Sequence, residues 1–296
     1  MSNQNNKALD HDLSSARLIR DVATKAAIKA GRIIKQYWGE STNSLEVKHK
    51  SSWRDMVTVA DKKSEEVILK IVRESFPDHQ IISEEGGGTE VSPIQSINNS
   101  PNTSKYKWAI DPLDGTTNFR HSYPFFCVSI GVLFEDKPLV GVVYNPIQDE
   151  LFTAIKGQGA YLNGQKMSVS KVATLRDSLL VTGFAYSINE LQKSSMELFK
   201  ELSFATHGVR RDGAAALDLC YVAAGRLDAF WEYGLHIWDI AAGALMVEEA
   251  GGVVTDPIDG NLDLFGNKIL ASNALIAEEL ISKIQNSQKL HAGAVS

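Results

Sequence analysis

The chain has 296 residues, a formal net charge of −6 and 44% hydrophobic residues, values that are ordinary for a globular protein. The acidic balance and the lack of a basic stripe in the sequence argue against a nucleic-acid partner, and no apolar run approaches the roughly 18 residues that a membrane helix needs. The two cysteines, Cys127 and Cys220, lie in apolar runs and are expected to be buried free thiols, as in the reducing cytoplasm.

Two helices are predicted in the first quarter of the chain. Residues 1–13 are polar and lack the charged start and apolar core of a signal peptide, so we expect a disordered tail there. Apolar residues recur at helical spacing over residues 14–38, which predicts the first helix. The second helix is predicted over residues 60–75, with Asp61 in its first turn, where the helix dipole favours a negative charge.

Strands dominate the middle of the chain. The short apolar strand "HQIIS" is followed by Glu84, Glu85 and three glycines, and then by a polar loop over residues 91–106. Residues 105–170 show the pattern of a mostly antiparallel sheet. Within them, "GQGAYLNG" is interpreted as a hairpin that turns at Asn163 and Gly164, and not as a dinucleotide-binding loop, because no helix follows it.

The last part of the chain alternates helices and strands, as layered α/β domains do. Helices are predicted in "INELQKSSMELFKELS", "DGAAALDLCYVAAGR" and "WDIAAGALMVEEAGG", and glycines end the second and the third. We therefore expect an α+β/α/β fold of two packed subdomains. The N-terminal one would cover residues 14–170 and the C-terminal one residues 171–296.

The segment "IDPLDGTTNF" places two aspartates, Asp111 and Asp114, three residues apart at the end of a strand. Pro112 fixes its own φ angle and restricts the residue before it, so both carboxylates are held in a small space. A divalent cation would relieve their repulsion, and hard oxygen ligands suit Mg²⁺, which often takes a substrate phosphate as a further ligand. Turn formation is the alternative interpretation, because Asp-Pro and Asp-Gly are common in turns.

Further acids lie at the ends of predicted elements. Glu84 and Glu85 follow a strand, whereas Asp61 and Asp239 lie at the starts of helices. Each has an ordinary explanation as a helix cap, a turn or a solvated end. Several acids at element ends in one chain favour the interpretation that they converge on one site. Their spacing in the sequence alone does not decide between a shared site and separate structural roles.

Three separated motifs, "SEEGG", "DPLDGTTNF" and "WDIAAGALMVEEAGG", occur in the order found in the inositol monophosphatase family of Mg²⁺-dependent, lithium-sensitive phosphatases. The chain resembles that family over residues 18–277, and the stretch between Glu85 and Lys107 is longer than in familiar members. The resemblance implies the layered αβαβα sandwich of sugar phosphatases. It also implies hydrolysis of a phosphate ester by a metal-activated water.

The resemblance implies a role for each matching residue. Two or three Mg²⁺ ions would be held by Glu84, Asp111, the backbone carbonyl of Leu113, Asp114 and Asp239, with Glu85 as an outer contributor. Asp61 and Thr116 would orient the attacking water, together with Glu84 as a catalytic group. The substrate would be bound by Asp114, Gly115, Thr116, Thr117, Gly213, Ala214, Ala215, Glu232 and Asp239. Many relatives carry a hydroxyl residue at the position of Ala214, so we expect one polar contact fewer here.

The implied substrate is the phosphate monoester of a small polyol, with inositol 1-phosphate as the first choice. Histidinol phosphate, fructose 1,6-bisphosphate and 3′-phosphoadenosine 5′-phosphate remain alternatives, although the nucleotide phosphatases usually show "DGTKEF" where this chain has "DGTTNF". A binding protein that has lost the enzyme role is the remote alternative. The family commonly forms homodimers, which the resemblance implies here too.

Three polar residues near these motifs are given structural interpretations. His236, close to Asp239 in the sequence, is expected to be packed or hydrogen-bonded and not to act as an acid–base catalyst. Arg210 and Arg211 are expected to pair with neighbouring acids, with a second anionic group of the substrate as the alternative partner.

Overall fold

In the part of the chain that the structure describes, two large sheets and three pairs of helices alternate in five layers, so the αβαβα sandwich that the family resemblance implies is confirmed. The structure is a computed structural model that describes residues 2–39, 48–49, 56–86, 104–184 and 190–293. The helix pairs are α1 (Ser2–Tyr37) with α2 (Val59–Ser75), α5 (Ala215–Ala223) with α6 (Ile237–Glu249), and α4 (Glu190–Ala205) with α7 (Ala277–Gly293). The short helix α3 (Thr116–Arg120) lies between two strands.

The larger sheet has seven strands in chain order, and α1 and α2 cover its outer face. Its strands are β3 (Gln80–Ser83), β4 (Tyr106–Asp114), β5 (Cys127–Phe134), β6 (Lys137–Asn145), β7 (Glu150–Ile155), β8 (Gly159–Leu162) and β9 (Gln165–Lys166). All neighbours are antiparallel except β3 and β4, so the sheet predicted over residues 105–170 is confirmed. The predicted hairpin turns at Asn163 and Gly164, both with positive φ.

The smaller sheet has five strands and separates α5 and α6 from α4 and α7. In spatial order its strands are β11 (Gly208–Arg210), β10 (Leu179–Thr182), β12 (Ala229–Tyr233), β14 (Lys268–Ser272) and β13 (Val253–Thr255). The central strand β12 runs parallel to β10 and antiparallel to β14. A separate two-stranded ladder joins β1 (Lys48–His49) to β2 (Met56–Val57).

Helix α6 packs closely against the larger sheet because the facing residues are small. A Cβ at Gly131 would lie 2.7 Å from the Cβ of Ala241, and one at Gly141 would lie 2.8 Å from the carbonyl oxygen of Ala242. Close packing of this kind leaves little freedom for α6 to shift. It therefore fixes the position of Asp239, in the first turn of the helix, relative to the larger sheet.

The N-terminus differs from the sequence prediction. We expect a disordered tail over residues 1–13, whereas α1 begins at Ser2. Apolar periodicity detects only the part of a helix that packs on a core, here from Ala16 onwards. Once that part has formed, each further residue adds one backbone hydrogen bond without a new nucleation cost, so a polar segment can continue the helix.

Other sequence predictions have mixed outcomes. Cys127 and Cys220 are fully buried free thiols, as expected. Most of the predicted polar loop over residues 91–106 lies outside the described residues. The division into subdomains at residue 170 stays a prediction, and α6 packs against strands on both sides of that point. Among the helices in the described ranges, none combines the length and apolar character needed to cross a membrane.

Candidate active site

The end of β4 delivers Asp111 and Asp114 to the same buried place. They are three positions apart on β4, whereas their partners Ser129 and Cys127 are two positions apart on β5, so β4 bulges between them. Pro112 lies in this bulge, and it has no backbone N–H to donate to a hydrogen bond between strands. Its carbonyl oxygen instead accepts a hydrogen bond of 2.8 Å from the Ser64 hydroxyl. The bulge keeps both carboxylates in a site where they are 3% and 8% exposed.

Asp61 and Thr116 meet, as the resemblance implies. Asp61 closes a capping box at the start of α2, in which its Oδ2 accepts from the Thr58 backbone N–H at 2.8 Å and from the Thr58 hydroxyl at 2.5 Å. Its other oxygen, Oδ1, lies 3.0 Å from the Thr116 hydroxyl. That hydroxyl also lies 3.1 Å from the carbonyl oxygen of Leu113. Burial raises the pKa of Asp61 to about 6, and the charge of Glu84 adds to the rise.

Asp239 reaches the same site from the opposite side. It is the third residue of α6, and its Oδ2 accepts a hydrogen bond of 2.7 Å from the backbone N–H of His236. Burial raises the pKa of Asp239 well above its ordinary value, and the charges of Asp114 and Glu84 raise it further. The His236 ring stacks on Trp238 with centroids 4.6 Å apart, which agrees with its predicted packing role.

The predicted ligands form an all-oxygen set whose charges repel one another. Burial raises the pKa of Asp111 well above its ordinary value, and Glu84, Asp114 and Asp239 raise it further. The pKa of Asp114 rises to about 7, chiefly through burial. Carboxylates that destabilise one another in this way suit a hard divalent cation, which would favour all of their ionised forms. The donor chemistry therefore fits Mg²⁺.

Within the described ranges, no three His, Cys, Asp or Glu side chains form a group ready to hold a metal ion. A hydrogen bond instead joins Glu84 to Asp111 and contributes to the raised pKa of Asp111. Glu85 follows Glu84 and is partly buried. The individual ligand assignments therefore stay predictions.

The raised carboxyl pKa values predict how stability depends on pH. The ordinary pKa values of Asp114 and Glu232 are 3.8 and 4.5, and in the folded chain they rise to about 7 and about 8. Between these limits the folded state binds more protons than the unfolded state, so the free energy of unfolding of metal-free protein falls as the pH rises from about 4 to about 8. Mg²⁺ should restore stability at pH 8, because it favours the ionised carboxylates.

Thermal unfolding at pH 5 and pH 8 checks this prediction, with chelator and with Mg²⁺ at matched ionic strength. We expect the Tm with chelator to be lower at pH 8 and the gain from Mg²⁺ to be larger at pH 8. A metal-free protein that is more stable at pH 8 than at pH 5 would contradict the sign.

The segment that precedes α3 meets the segment that precedes α5. Gly115 has a φ of +91°, and a Cβ there would lie 3.0 Å from the carbonyl oxygen of Phe125 and 3.2 Å from the Cβ of Ala214. The Oδ2 atom of Asp114 accepts a hydrogen bond of 2.8 Å from the Ala216 backbone N–H. Ala214 is the N-cap residue of α5 and has no side chain that could cap it, so Asp114 supplies the acceptor that a serine there would provide.

The backbone donors predicted to bind the substrate line this junction. Gly115 precedes α3, which begins with Thr116 and Thr117, and Gly213 and Ala214 precede α5, which begins with Ala215. The structure thus brings together two groups that lie about a third of the chain apart in sequence. Both groups end in N-terminal helix turns, whose N–H groups favour an anion.

Glu232 lies on β12 and is 9% exposed. Burial raises its pKa to about 8, and the positive charge of Arg211 opposes the rise. Arg211 also opposes the raised pKa of Asp218, which is 1% exposed and has one oxygen without a hydrogen-bond partner. These charges favour the interpretation that Arg211 pairs with neighbouring acids.

Asp218 lacks any feature in the sequence that distinguishes it from the surrounding helix residues, so sequence reasoning missed it.

Gly183 is a second residue that sequence reasoning missed. It follows β10 directly, and the parallel register that pairs Thr182 with Trp231 places it beside Glu232. A Cβ at Gly183 would overlap the carboxylate of Glu232. Gly183 therefore makes room for the predicted polyol-binding acid, and its only sequence signal is a glycine directly after a predicted strand.

Gly183→Ala should displace the Glu232 carboxylate and weaken the binding of a polyol substrate. We expect KM for a polyol phosphate to rise about 10-fold, the value of roughly one charge-assisted hydrogen bond. The measurement is a double-mutant cycle with Glu232→Ala, in which Gly183→Ala should have little further effect on KM. Additive effects of the two substitutions would show that Gly183 does not act through Glu232.

Comparisons with known proteins agree with this arrangement. The inositol monophosphatase family model matches residues 16–289. The inositol-1-monophosphatase of Synechocystis is 46% identical over 88% of this chain and 86% of its own, and the Nus factor SuhB of Pasteurella multocida is 42% identical over 90% and 95%. Among solved structures, the extragenic suppressor protein suhB of Bartonella henselae matches with a TM-score of 0.82 at 40% identity over 90% of this chain and 98% of that one. The inositol monophosphatase of Anabaena matches with a TM-score of 0.75 at 41% identity over 91% and 96%. The chain therefore belongs to the inositol monophosphatase family.

Proposed function

We propose that this protein hydrolyses the phosphate monoester of a small polyol, with inositol 1-phosphate as the first substrate, in a reaction that depends on Mg²⁺. The family is typically Mg²⁺-dependent and acts on phosphorylated polyols. The observation that carries the proposal is the pairing of Asp61 with the Thr116 hydroxyl, beside the buried carboxylates of Asp111 and Asp114 and the partly buried Asp239. Such an arrangement combines a proton acceptor with a site for cations and phosphate.

Mg²⁺ would supply charge neutralisation for the phosphate and a more acidic water molecule. Asp61, when ionised, would accept a proton from the attacking water, and Thr116 would orient that water together with it. The N–H groups at the start of α3 and α5 would bind the phosphoryl oxygens. Phosphoryl transfer needs positioning and charge neutralisation more than covalent chemistry, so no nucleophilic side chain is required.

The leaving group would be recognised by the side of the site that β12 and the start of α5 form. Glu232 would accept hydrogen bonds from the hydroxyls of the polyol, and the backbone of Gly213, Ala214 and Ala215 would line the same pocket. Ala214 has no hydroxyl to offer, so this chain relies more on Glu232 than relatives with a hydroxyl residue at that position.

The test is phosphate release from inositol 1-phosphate and histidinol phosphate side by side, with Mg²⁺, with chelator and with added Li⁺. Mg²⁺-dependent and Li⁺-sensitive release from inositol 1-phosphate is the expected result. Dominant turnover of histidinol phosphate would change the substrate and keep the chemistry. If neither is hydrolysed, fructose 1,6-bisphosphate and 3′-phosphoadenosine 5′-phosphate are tested next. Failure of all four substrates would contradict the proposal.

A role in transcription is the second candidate, because several relatives at 40–42% identity carry the name Nus factor SuhB. One observation favours it. Although the chain is acidic overall, α1 exposes Arg17, Lys25, Lys29, Arg32 and Lys35 on one face, with Asp21 as the acid among them, and the sequence analysis did not find this mostly basic face. The predicted absence of a nucleic-acid partner therefore stays a prediction. An Asp111→Asn variant separates the two roles, because it removes only what depends on the active site.

The oligomeric state of the protein and its location in the cell are part of the same proposal. We expect a homodimer in the cytoplasm, on the resemblance to the family and on the two buried thiols, which are compatible with a reducing compartment. Light scattering at two protein concentrations gives the oligomeric state directly.

A further inference from the structure

Asn118 lies between the two walls of the candidate site, which are the segment at the start of α3 (residues 115–117) and the segment at the start of α5 (residues 213–216). It is the third residue of α3, two positions after Thr116. Its side-chain nitrogen donates to the carbonyl oxygen of Phe125 at 2.7 Å and to that of Asp212, also at 2.7 Å. One amide thus holds the loop after α3 and the turn before α5, which are separated by more than 80 residues in sequence.

The two carbonyl groups that Asn118 holds lie next to the predicted substrate-binding backbone. Asp212 immediately precedes Gly213, whose φ is +87° and whose Cβ, if present, would lie 3.4 Å from the Asn118 side-chain nitrogen. Phe125 presents its carbonyl oxygen to Gly115, at 3.0 Å from the position of a Cβ there. A shift of either carbonyl would therefore move the start of α3 relative to the start of α5.

The hydrogen bonds from Asn118 to these two carbonyl oxygens also affect the electrostatics of the anion site. A free carbonyl oxygen beside an anion site would repel a phosphate, whereas one that accepts a short hydrogen bond is directed toward its donor. Asn118 engages two acceptors with its two amide hydrogens. The backbone N–H groups of the neighbouring residues then remain as the groups that face an anion.

We propose that Asn118 is a positioning residue that sets the distance between the phosphate-binding start of α3 and the polyol-binding start of α5. The proposal rests on the function proposed above. A second link between the same walls, from the Ala216 N–H to Asp114, depends on the same distance. Asn118 thereby couples recognition of the leaving group to the place where phosphate is bound.

Asn118→Asp tests the proposal, because the carboxylate has the same shape but donates to neither carbonyl and repels both. The matched control is Asn163→Asp. Asn163 also donates its side-chain amide to a backbone carbonyl, that of Asp149, in a hairpin turn far along the sheet. Asn118→Ser, which is uncharged and too short to reach both carbonyls, provides the answer if the aspartate variant fails to fold.

The first readout compares two phosphate esters. For Asn118→Asp we expect kcat/KM on inositol 1-phosphate to fall about 100-fold, the size of effect that a displacement of about 1 Å can have. On p-nitrophenyl phosphate, which has no polyol, the fall should be at least 10-fold smaller. Asn163→Asp should change neither value. The uncharged Asn118→Ser separates lost positioning from charge repulsion of the phosphate, so an equal loss on both esters in Asn118→Ser, or no loss on either ester in both variants, would overturn the proposal.

The second readout does not depend on activity. Hydrogen exchange of the backbone amides over residues 213–216 should become faster in Asn118→Asp and stay unchanged in Asn163→Asp, because only the first variant releases that segment. Unchanged exchange in Asn118→Asp would overturn the proposal. If the unmodified protein hydrolyses no polyol phosphate, the proposed function fails, and hydrogen exchange still decides whether Asn118 holds the two walls together.

Discussion

Asp111→Asn should reduce kcat by about 10³-fold or more, which corresponds to roughly 4 kcal/mol of lost transition-state stabilisation. The family resemblance implies that Asp111 is a ligand of both the first and the second Mg²⁺, so an uncharged amide at this position should weaken the binding of both ions. The substitution should not destabilise the fold. The Asp111 Oδ1 atom accepts a hydrogen bond of 2.9 Å from the Leu113 backbone N–H, and the asparagine oxygen can accept it too.

The stability of the metal-free variant separates loss of metal from loss of fold. Removing one of several repelling buried carboxylates should leave the Tm in chelator unchanged or higher, whereas calorimetry should show a weaker affinity for Mg²⁺. Asp136→Asn is the matched control, because Asp136 lies in the exposed turn between β5 and β6 and pairs with Lys107. Full phosphatase activity in Asp111→Asn would contradict the metal assignment.

Asp61→Asn should reduce kcat by about 10²- to 10⁴-fold, the usual contribution of a positioned general base. Magnesium affinity should be largely retained, because Asp61 contacts Thr58 and Thr116 and is not a predicted ligand. The wild-type rate should fall as the pH drops through about 6 or below, since protonated Asp61 cannot accept a proton and bound cations would lower its pKa further. This acidic limb should be missing from the residual activity of the variant.

The control for Asp61→Asn is another aspartate in a capping arrangement. Asp177 accepts a hydrogen bond of 2.7 Å from the hydroxyl of Thr174, three residues earlier, as Asp61 does from Thr58, but it is exposed and lies at a separate short helix. Asp177→Asn should lower stability slightly and leave kcat unchanged. If Asp61→Asn instead loses its affinity for Mg²⁺, Asp61 is a metal ligand and the role proposed for it is wrong.

The sequence was most informative where one local pattern determines a structure. Asp61 and Asp239 are each three residues after a cap position, so their place in the first turn of a helix follows from local geometry. The hairpin at Asn163 and Gly164 was predicted for the same reason. The periodicity of apolar residues predicts the buried helix faces. The polar start of α1 has no apolar periodicity, so the sequence does not predict a helix there.

The residues that sequence reasoning missed act through partners far away in the chain. Gly183 matters because Glu232 lies beside it on another strand, and Asn118 because Asp212 faces it from the other half of the chain. No spacing rule links such pairs, since the pairing depends on how the sheets and helices stack. The family resemblance predicts which acids form the site, and the structure adds which backbone groups contact them.

One further consequence follows from the contact between Asp114 and α5. The same carboxylate is predicted to bind a cation and caps a helix whose first residues line the leaving-group pocket. Occupancy of one site must then alter the free energy of the other, and thermodynamic linkage requires the influence to be equal in both directions. Whatever factor the cation imposes on the affinity for a polyol without phosphate, the polyol must impose the same factor, in the same direction, on the affinity for the cation.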